Sequence, residues 1–161
     1  DYPGQLLTSG GYGAMGFGMG AALGAKMGNP NKTVIHITGD GSFRMNCNEL
    51  STEEFCRTPV ITFVMNNRRL GMVRQWQELV YNERYYQTTT ARGPDFVKLA
   101  EANGLQGFRV NNVEELEAAI NAALEAQEKG QGTVIDCNIY DGELVRPMVN
   151  GGKHITEFLV N

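Results

Sequence analysis

Gly39-Asp40-Gly41 is followed, after 24 residues, by Asn66-Asn67, and Ser42 comes directly behind the second glycine. Asp40 offers a carboxylate and Asn67 an amide oxygen. Gly39 and Gly41 let the backbone turn sharply and come close to a ligand. Their amides, with the Ser42 amide and hydroxyl, make an anion site where they open a helix. One carboxylate and one carbonyl oxygen are too few for an all-protein metal cage. They suit a Mg2+ ion that keeps phosphate oxygens of a ligand in its shell. The chemistry these residues could perform is that of a metal–diphosphate clamp.

Two apolar runs must position them. Thr33-Val34-Ile35-His36-Ile37-Thr38 leads into Gly39, and Val60-Ile61-Thr62-Phe63-Val64-Met65 leads into Asn66. Both are rich in β-branched residues and have strand length. Between them, 46–57 reads as one helix stopped before Pro59, with Glu53 and Glu54 on a solvated acidic face. A strand–helix–strand unit makes two parallel strands with a right-handed crossover. Asp40 and Asn67 then lie at the carboxyl ends of parallel strands, where open α/β sheets bind ligands.

The remaining chain supplies the other layers. Eleven of the 20 glycines precede Ser42. They predict a loop over 10–16 and a helix over 17–27. Each glycine inside a helix costs about 1 kcal/mol relative to Ala, so Gly18, Gly20 and Gly24 are expected to pack closely on backbone or ligand. The connection 68–90 is long enough to be functional, and 71–79 within it predicts a short helix. Further helices are expected over 94–103, with Pro94 in its first turn, and over 113–129, capped by Asn112. Strands are expected at 108–110 and 133–140, and a short helix at 155–160. The fold class is α/β, a mostly parallel sheet with helices on both faces.

The Gly-Asp-Gly…Asn-Asn pair is similar to the thiamine diphosphate (ThDP) motif of ThDP-dependent enzymes. Leu70-Gly71-Met72-Val73-Arg74-Gln75-Trp76-Gln77-Glu78-Leu79, with Tyr81, Arg84 and Tyr85, resembles the catalytic subunits of acetolactate synthases (acetohydroxyacid synthases). The glycine-rich opening and Pro147-Met148-Val149 are similar too, so the resemblance spans nearly the whole chain. Two positions depart from it: Gly20, where many relatives have Pro, and the stretch after Val149. The resemblance implies ThDP and Mg2+ as cofactors. It implies that Asp40 and Asn67, with the Arg69 carbonyl, hold the metal. Gly39, Gly41, Ser42 and Gly71 would lie at the diphosphate, and Gly13 and Met15 along the aminopyrimidine. Met72 would border cofactor and substrate, and Trp76 the substrate. No catalytic residue is expected in this chain, because the family's activating Glu comes from another domain of a neighbouring subunit.

The implied activity is decarboxylation of pyruvate and transfer of the two-carbon unit to pyruvate or 2-ketobutyrate, early in branched-chain amino acid synthesis. The chain would be the C-terminal ThDP-binding domain of a larger enzyme, inactive alone. Expected partners are 2-keto acids and further subunits, as a homodimer or tetramer through the ThDP site. A regulatory subunit, and FAD on another domain, are both compatible with the family. The place of action would be the cytoplasm, or an organelle in a eukaryote. Another ThDP-dependent 2-keto acid carboligase or decarboxylase, such as glyoxylate carboligase, is the nearest alternative. Gly11, Gly13 and Gly16 also spell GxGxxG, with Asp40 placed 24 residues after Gly16. A Rossmann NAD-binding oxidoreductase is therefore a second alternative, although only 6–8 could be its first strand. A binding module that keeps the fold without catalysis is a third.

Composition sets outer bounds. The chain has 161 residues, 42% hydrophobic and 20% charged, as for an ordinary globular domain. A net charge of −4 gives no basic footprint for nucleic acid, and no apolar run reaches the ~20 residues of a membrane span. Cys47, Cys56 and Cys137 lack metal or redox spacing and read as reduced thiols. His36 and His154 have no partner at ligand spacing and read as structural.

Overall fold

The structure, a computed structural model, describes residues 5–149 and 151–159. Helix α1 (Phe17–Gly28) leads to strand β1 (Ile35–Gly39), helix α2 (Asp40–Asn46), a 3-10 turn (Cys47–Glu49) and helix α3 (Leu50–Cys56). Strand β2 (Ile61–Asn66) and helix α4 (Gly71–Leu79) follow. Then come helix α5 (Phe96–Ala102), strand β3 (Gln106–Val110), helix α6 (Val113–Glu128) and strand β4 (Thr133–Asn138). The chain ends in two short strands, β5 (Met148–Val149) and β6 (Phe158–Leu159), paired antiparallel.

The four long strands form one parallel sheet in the order β1-β2-β4-β3. Strand side chains alternate between faces, and the core divides accordingly. Val60, Val64 and Val134 pack with Met19, Leu23, Phe43, Leu50, Phe96, Ala100 and Leu105, beneath α1, α2, α3 and α5. Ile61, Ile135 and Cys137 face the other way, against Ala119 and Ala123 of α6. Helices on both faces of a parallel sheet are what the apolar runs predicted. The caps of α6 and α5 are side chains: Asn112 accepts the Glu115 N–H at 2.8 Å, and Asp95 accepts those of Val97 and Lys98. Pro94 therefore precedes the cap of α5 and lies outside the helix.

Five further expectations are corrected. The helix over 46–57 starts earlier, at Asp40, and is broken into three pieces at Asn46 (φ −134°, ψ 22°) and Glu49. Glu53 is not solvated: it is 2% exposed, its Oε1 accepts the Val60 N–H at 2.9 Å, and its Oε2 is buried without a partner. Gly18 does pack closely, since a Cβ there would strike the His36 ring, but Gly20 and Gly24 face open space. Gly39 is extended (φ −80°, ψ 155°), a conformation any residue adopts. The expected helix at 155–160 is instead a turn at 155–156 followed by the short strand β6 (Phe158–Leu159), and Val160 lies outside the described residues.

Candidate functional site

Three chain segments converge where the strands end. β1 runs directly into α2, so Asp40 is the first helical residue after the strand. It is 3% exposed, and its Oδ2 accepts the Thr90 hydroxyl at 2.5 Å. A carboxylate oriented this firmly in a buried position has a defined direction in which to offer its other oxygen. The next turn is held from the glycine-rich loop: the Gly16 N–H donates to Ser42 Oγ at 2.9 Å. Gly16 has φ 84°, a conformation that favours glycine. A Cβ on Gly41 would lie 2.8 Å from Leu70 Cδ2 and 3.5 Å from Met15 Cε. Gly41 therefore has to be small because Leu70 and Met15 close on it.

β2 brings the third segment. Gly39 and Met65 are register partners, so the chain leaves both strands side by side. Asn67 Oδ1 accepts the Arg69 N–H at 3.0 Å, which leaves one of its lone pairs for a ligand. A Cβ on Gly71, at the start of α4, would come 3.2 Å from Asn67 Nδ2. The donor set stays as lean as the sequence suggested: one buried carboxylate, one amide oxygen, and helix-opening amides at Gly41 and Ser42. No group of three or more Asp, Glu, His or Cys able to hold a metal occurs among the described residues. These residues fit a hard cation completed by phosphate oxygens, and do not fit a metal held by protein alone.

The structure thus brings Met15, Gly41, Ser42, Asn67 and Gly71 to one edge with Asp40. Gly13 (φ 62°) turns the loop that leads there, and its N–H donates to Ser9 O at 2.7 Å. Met15 and Met72 are half-exposed. Trp76 lines an open hollow of about 300 Å³ with Val73, Gln77, Tyr81 and Arg84, none of which borders the cavity at Asp40. The Arg69 side chain turns outward to Asp141, with Nη2 2.9 Å from Oδ2. His36 is buried against Gly18, its Nδ1 3.4 Å from Thr62 Oγ1, and burial holds its pKa below the ordinary value. That is the structural role expected of it.

Several residues here carried no sequence signal. Thr90, which fixes Asp40, comes from a polar connection 50 residues downstream. Beyond Asp40 lies a polar cavity of about 310 Å³, bordered by Asn66, Arg68, Arg109 and Asp136. Its wall is an ion-pair network: Asp136 accepts from Asn66 Nδ2 (2.8 Å) and from Arg109 Nε (3.2 Å), and Arg109 Nη2 reaches Asp95 at 2.7 Å. The GxGxxG alternative loses its context, because residues 5–9 form no strand ahead of Gly11 and Asp40 opens a helix.

Comparison with known proteins agrees with this geometry. Residues 1–137 match the family model "Thiamine pyrophosphate enzyme, C-terminal TPP binding domain". The chain is 44% identical over 153 residues to the acetolactate synthase isozyme 3 large subunit of Escherichia coli, covering 94% of this chain and 27% of that protein. It is 42% identical over 161 residues to the acetolactate synthase large subunit of Haemophilus influenzae, covering 100% and 28%. Among solved structures, the thiamine diphosphate-dependent 4-hydroxybenzoylformate decarboxylase of Rhodococcus jostii RHA1 superposes with a TM-score of 0.72 at 30% identity. That match covers 81% of this chain and 24% of that one. The chain therefore spans about a quarter of the length of its curated relatives. No helix among the described residues is long and apolar enough to cross a membrane. A parallel α/β sheet whose strand ends gather Asp40, Ser42 and Asn67, matched over most of its length, belongs to the C-terminal TPP-binding domain family of thiamine pyrophosphate enzymes.

Proposed function

We propose that this domain binds the diphosphate end of ThDP through Mg2+, and that the full-length protein is an acetolactate synthase. It would decarboxylate pyruvate and join the two-carbon unit to pyruvate or 2-ketobutyrate. The observation that carries the binding reading is buried Asp40 at the end of β1, fixed by Thr90 and flanked by Gly41, Ser42 and Asn67. The acetolactate reading rests on the identity to large subunits along nearly the whole chain.

When bound, ThDP supplies a carbanion-stabilising thiazolium. The residues of this chain hold and orient. Asp40, Asn67 and the Arg69 carbonyl would ligate Mg2+, and Gly39, Gly41, Ser42 and Gly71 would meet the diphosphate with backbone amides and the Ser42 hydroxyl. Gly13 and Met15 would lie along the pyrimidine. Met72 and Trp76 would face the substrates. The carboxylic acid that acts on the pyrimidine would come from another domain of a partner subunit, which makes the oligomer part of the site. A small regulatory subunit and FAD belong to the same reading. The decarboxylase neighbour favours a second reading, simple decarboxylation, which differs in product.

The test uses the full-length protein with pyruvate, ThDP and Mg2+. Acetolactate is expected; acetaldehyde as the main product would favour the second reading. Calorimetry should show ThDP binding that weakens at least about tenfold when EDTA removes Mg2+, as expected when the metal carries the charge of the diphosphate. Asp40→Ala should abolish that dependence. Equal ThDP affinity with EDTA and with Mg2+ would sink the clamp.

A further inference from the structure

Gln75 is 2% exposed, although it sits on a helix with exposed neighbours. Its carboxamide oxygen accepts the Val145 N–H at 2.7 Å, and its NH2 donates to Val145 O at 2.8 Å. The same nitrogen lies 3.1 Å from Met148 Sδ. Two residues on, Gln77 repeats the device. Its Oε1 accepts the Tyr86 N–H at 3.2 Å and its Nε2 donates to Tyr86 O at 3.0 Å. Each amide thus satisfies one donor and one acceptor of a single distant residue, as the backbone of a neighbouring strand would.

Residues two apart on a helix point to nearly opposite sides. α4 is therefore gripped on one side by the tail and on the other by the 85–87 segment, and Trp76 lies between the two grips. Other contacts reinforce both sides: Arg69 pairs with Asp141 of the tail, Glu78 accepts from the Tyr85 hydroxyl at 3.1 Å, and Arg74 lies 4.7 Å from the Tyr85 ring. No other helix or strand among the described residues packs its backbone extensively against α4, so these side-chain bonds to the flanking segments carry much of its attachment. The helix that starts at the cofactor edge and carries Trp76 is suspended from side-chain amides.

We propose that Gln75 and Gln77 are positioning residues that set the attitude of α4, and through it the direction in which Trp76 meets the acceptor substrate. This rests on the proposed function above. ThDP and the metal are held by Asp40, Ser42 and Asn67, so loosening α4 should change which acceptor is chosen before it changes cofactor binding. The two acceptors differ by one methylene, and an apolar contact of that size discriminates about 10- to 200-fold at best. A small rotation of the indole is enough to lose part of it.

The test is a competition between pyruvate and 2-ketobutyrate as acceptors on the full-length holoenzyme, with Trp76→Leu setting the scale of complete loss. Gln75→Leu and Gln77→Leu should each lower the preference for 2-ketobutyrate about three- to tenfold. ThDP affinity by calorimetry should stay within about twofold. Hydrogen exchange should quicken at 145–149 for Gln75→Leu and at 85–87 for Gln77→Leu. Faster exchange with an unchanged product ratio would overturn the proposal, because the grips would then hold the flanking segments without aiming Trp76. A parallel fall in ThDP affinity and selectivity would also overturn it, since that marks general loss of structure. Should Gln75→Leu fail to fold, the part-exposed Gln77 gives the same readout. A wild-type protein that forms no acetolactate would overturn the proposed function itself, and the acceptor role with it.

Discussion

Glu53 keeps a carboxyl group out of water with one oxygen bonded and the other alone. Burial raises its pKa to about 8, and the negative charge of Glu54 adds to the rise, while the Val60 N–H opposes it. The folded protein therefore holds a proton that the unfolded chain, titrating near 4.5, has already released. Between these values the folded state binds more protons, so the contribution of Glu53 to stability is full below about pH 4.5 and is lost as pH rises to about 8. The loss amounts to several kcal/mol on the order-of-magnitude scale of 1.4 kcal/mol per pH unit. Glu53→Gln should keep the bond to Val60 and remove this slope, which urea unfolding of wild type and variant from pH 5 to 9 would measure; parallel profiles would contradict it. The burial of Glu53 is not legible in the sequence, because a seven-residue helix shows no reliable polar face. Gly132 makes the burial possible, because its missing Cβ leaves room for the Glu53 carboxylate. Thr90 was illegible for the same reason, since its contact with Asp40 spans 50 residues. Asp40, Ser42 and Asn67 were legible because the apolar strands that place them precede them directly.

At the scale of elements, α1 shows how a glycine-rich helix divides its work. Gly18 gives the buried His36 ring its space, so an added methyl must displace the imidazole or the helix. Gly18→Ala should destabilise by about 1–3 kcal/mol through overpacking. Gly20→Ala and Gly24→Ala meet nothing within 4 Å and should stabilise by roughly 0.5–1 kcal/mol, the ordinary gain of Ala over Gly. Thermal melts of the three variants check this, and equal shifts for all three would be inconsistent with it. The long elements were readable from pattern: β-branched runs for β1, β2 and β4, and the 3.6-residue repeat with an Asn112 cap for α6. Short ones were not. The break at 47–49 has no proline or glycine to announce it, and strands of two residues, such as β5 and β6, are set by their partner and not by their own composition.

At the scale of the molecule, the sheet is covered unevenly. β1 is an edge strand, and on the face that α6 shields elsewhere, Ile35 is 56% and Ile37 72% exposed. An apolar edge invites pairing with another chain, and an edge lysine opposes it. Ile37→Lys should therefore reduce concentration-dependent self-association of this 161-residue chain, as read by sedimentation velocity, without lowering its melting temperature. The strand order has a consequence for biosynthesis. β4 lies between β2 and β3 yet follows both in the chain. A ribosome adding about 5–20 residues per second completes β3 roughly one to six seconds before it completes β4. Until β4 follows, β2 has a partner on one side only and β3 has none, so the sheet can close only once Asn138 has been added.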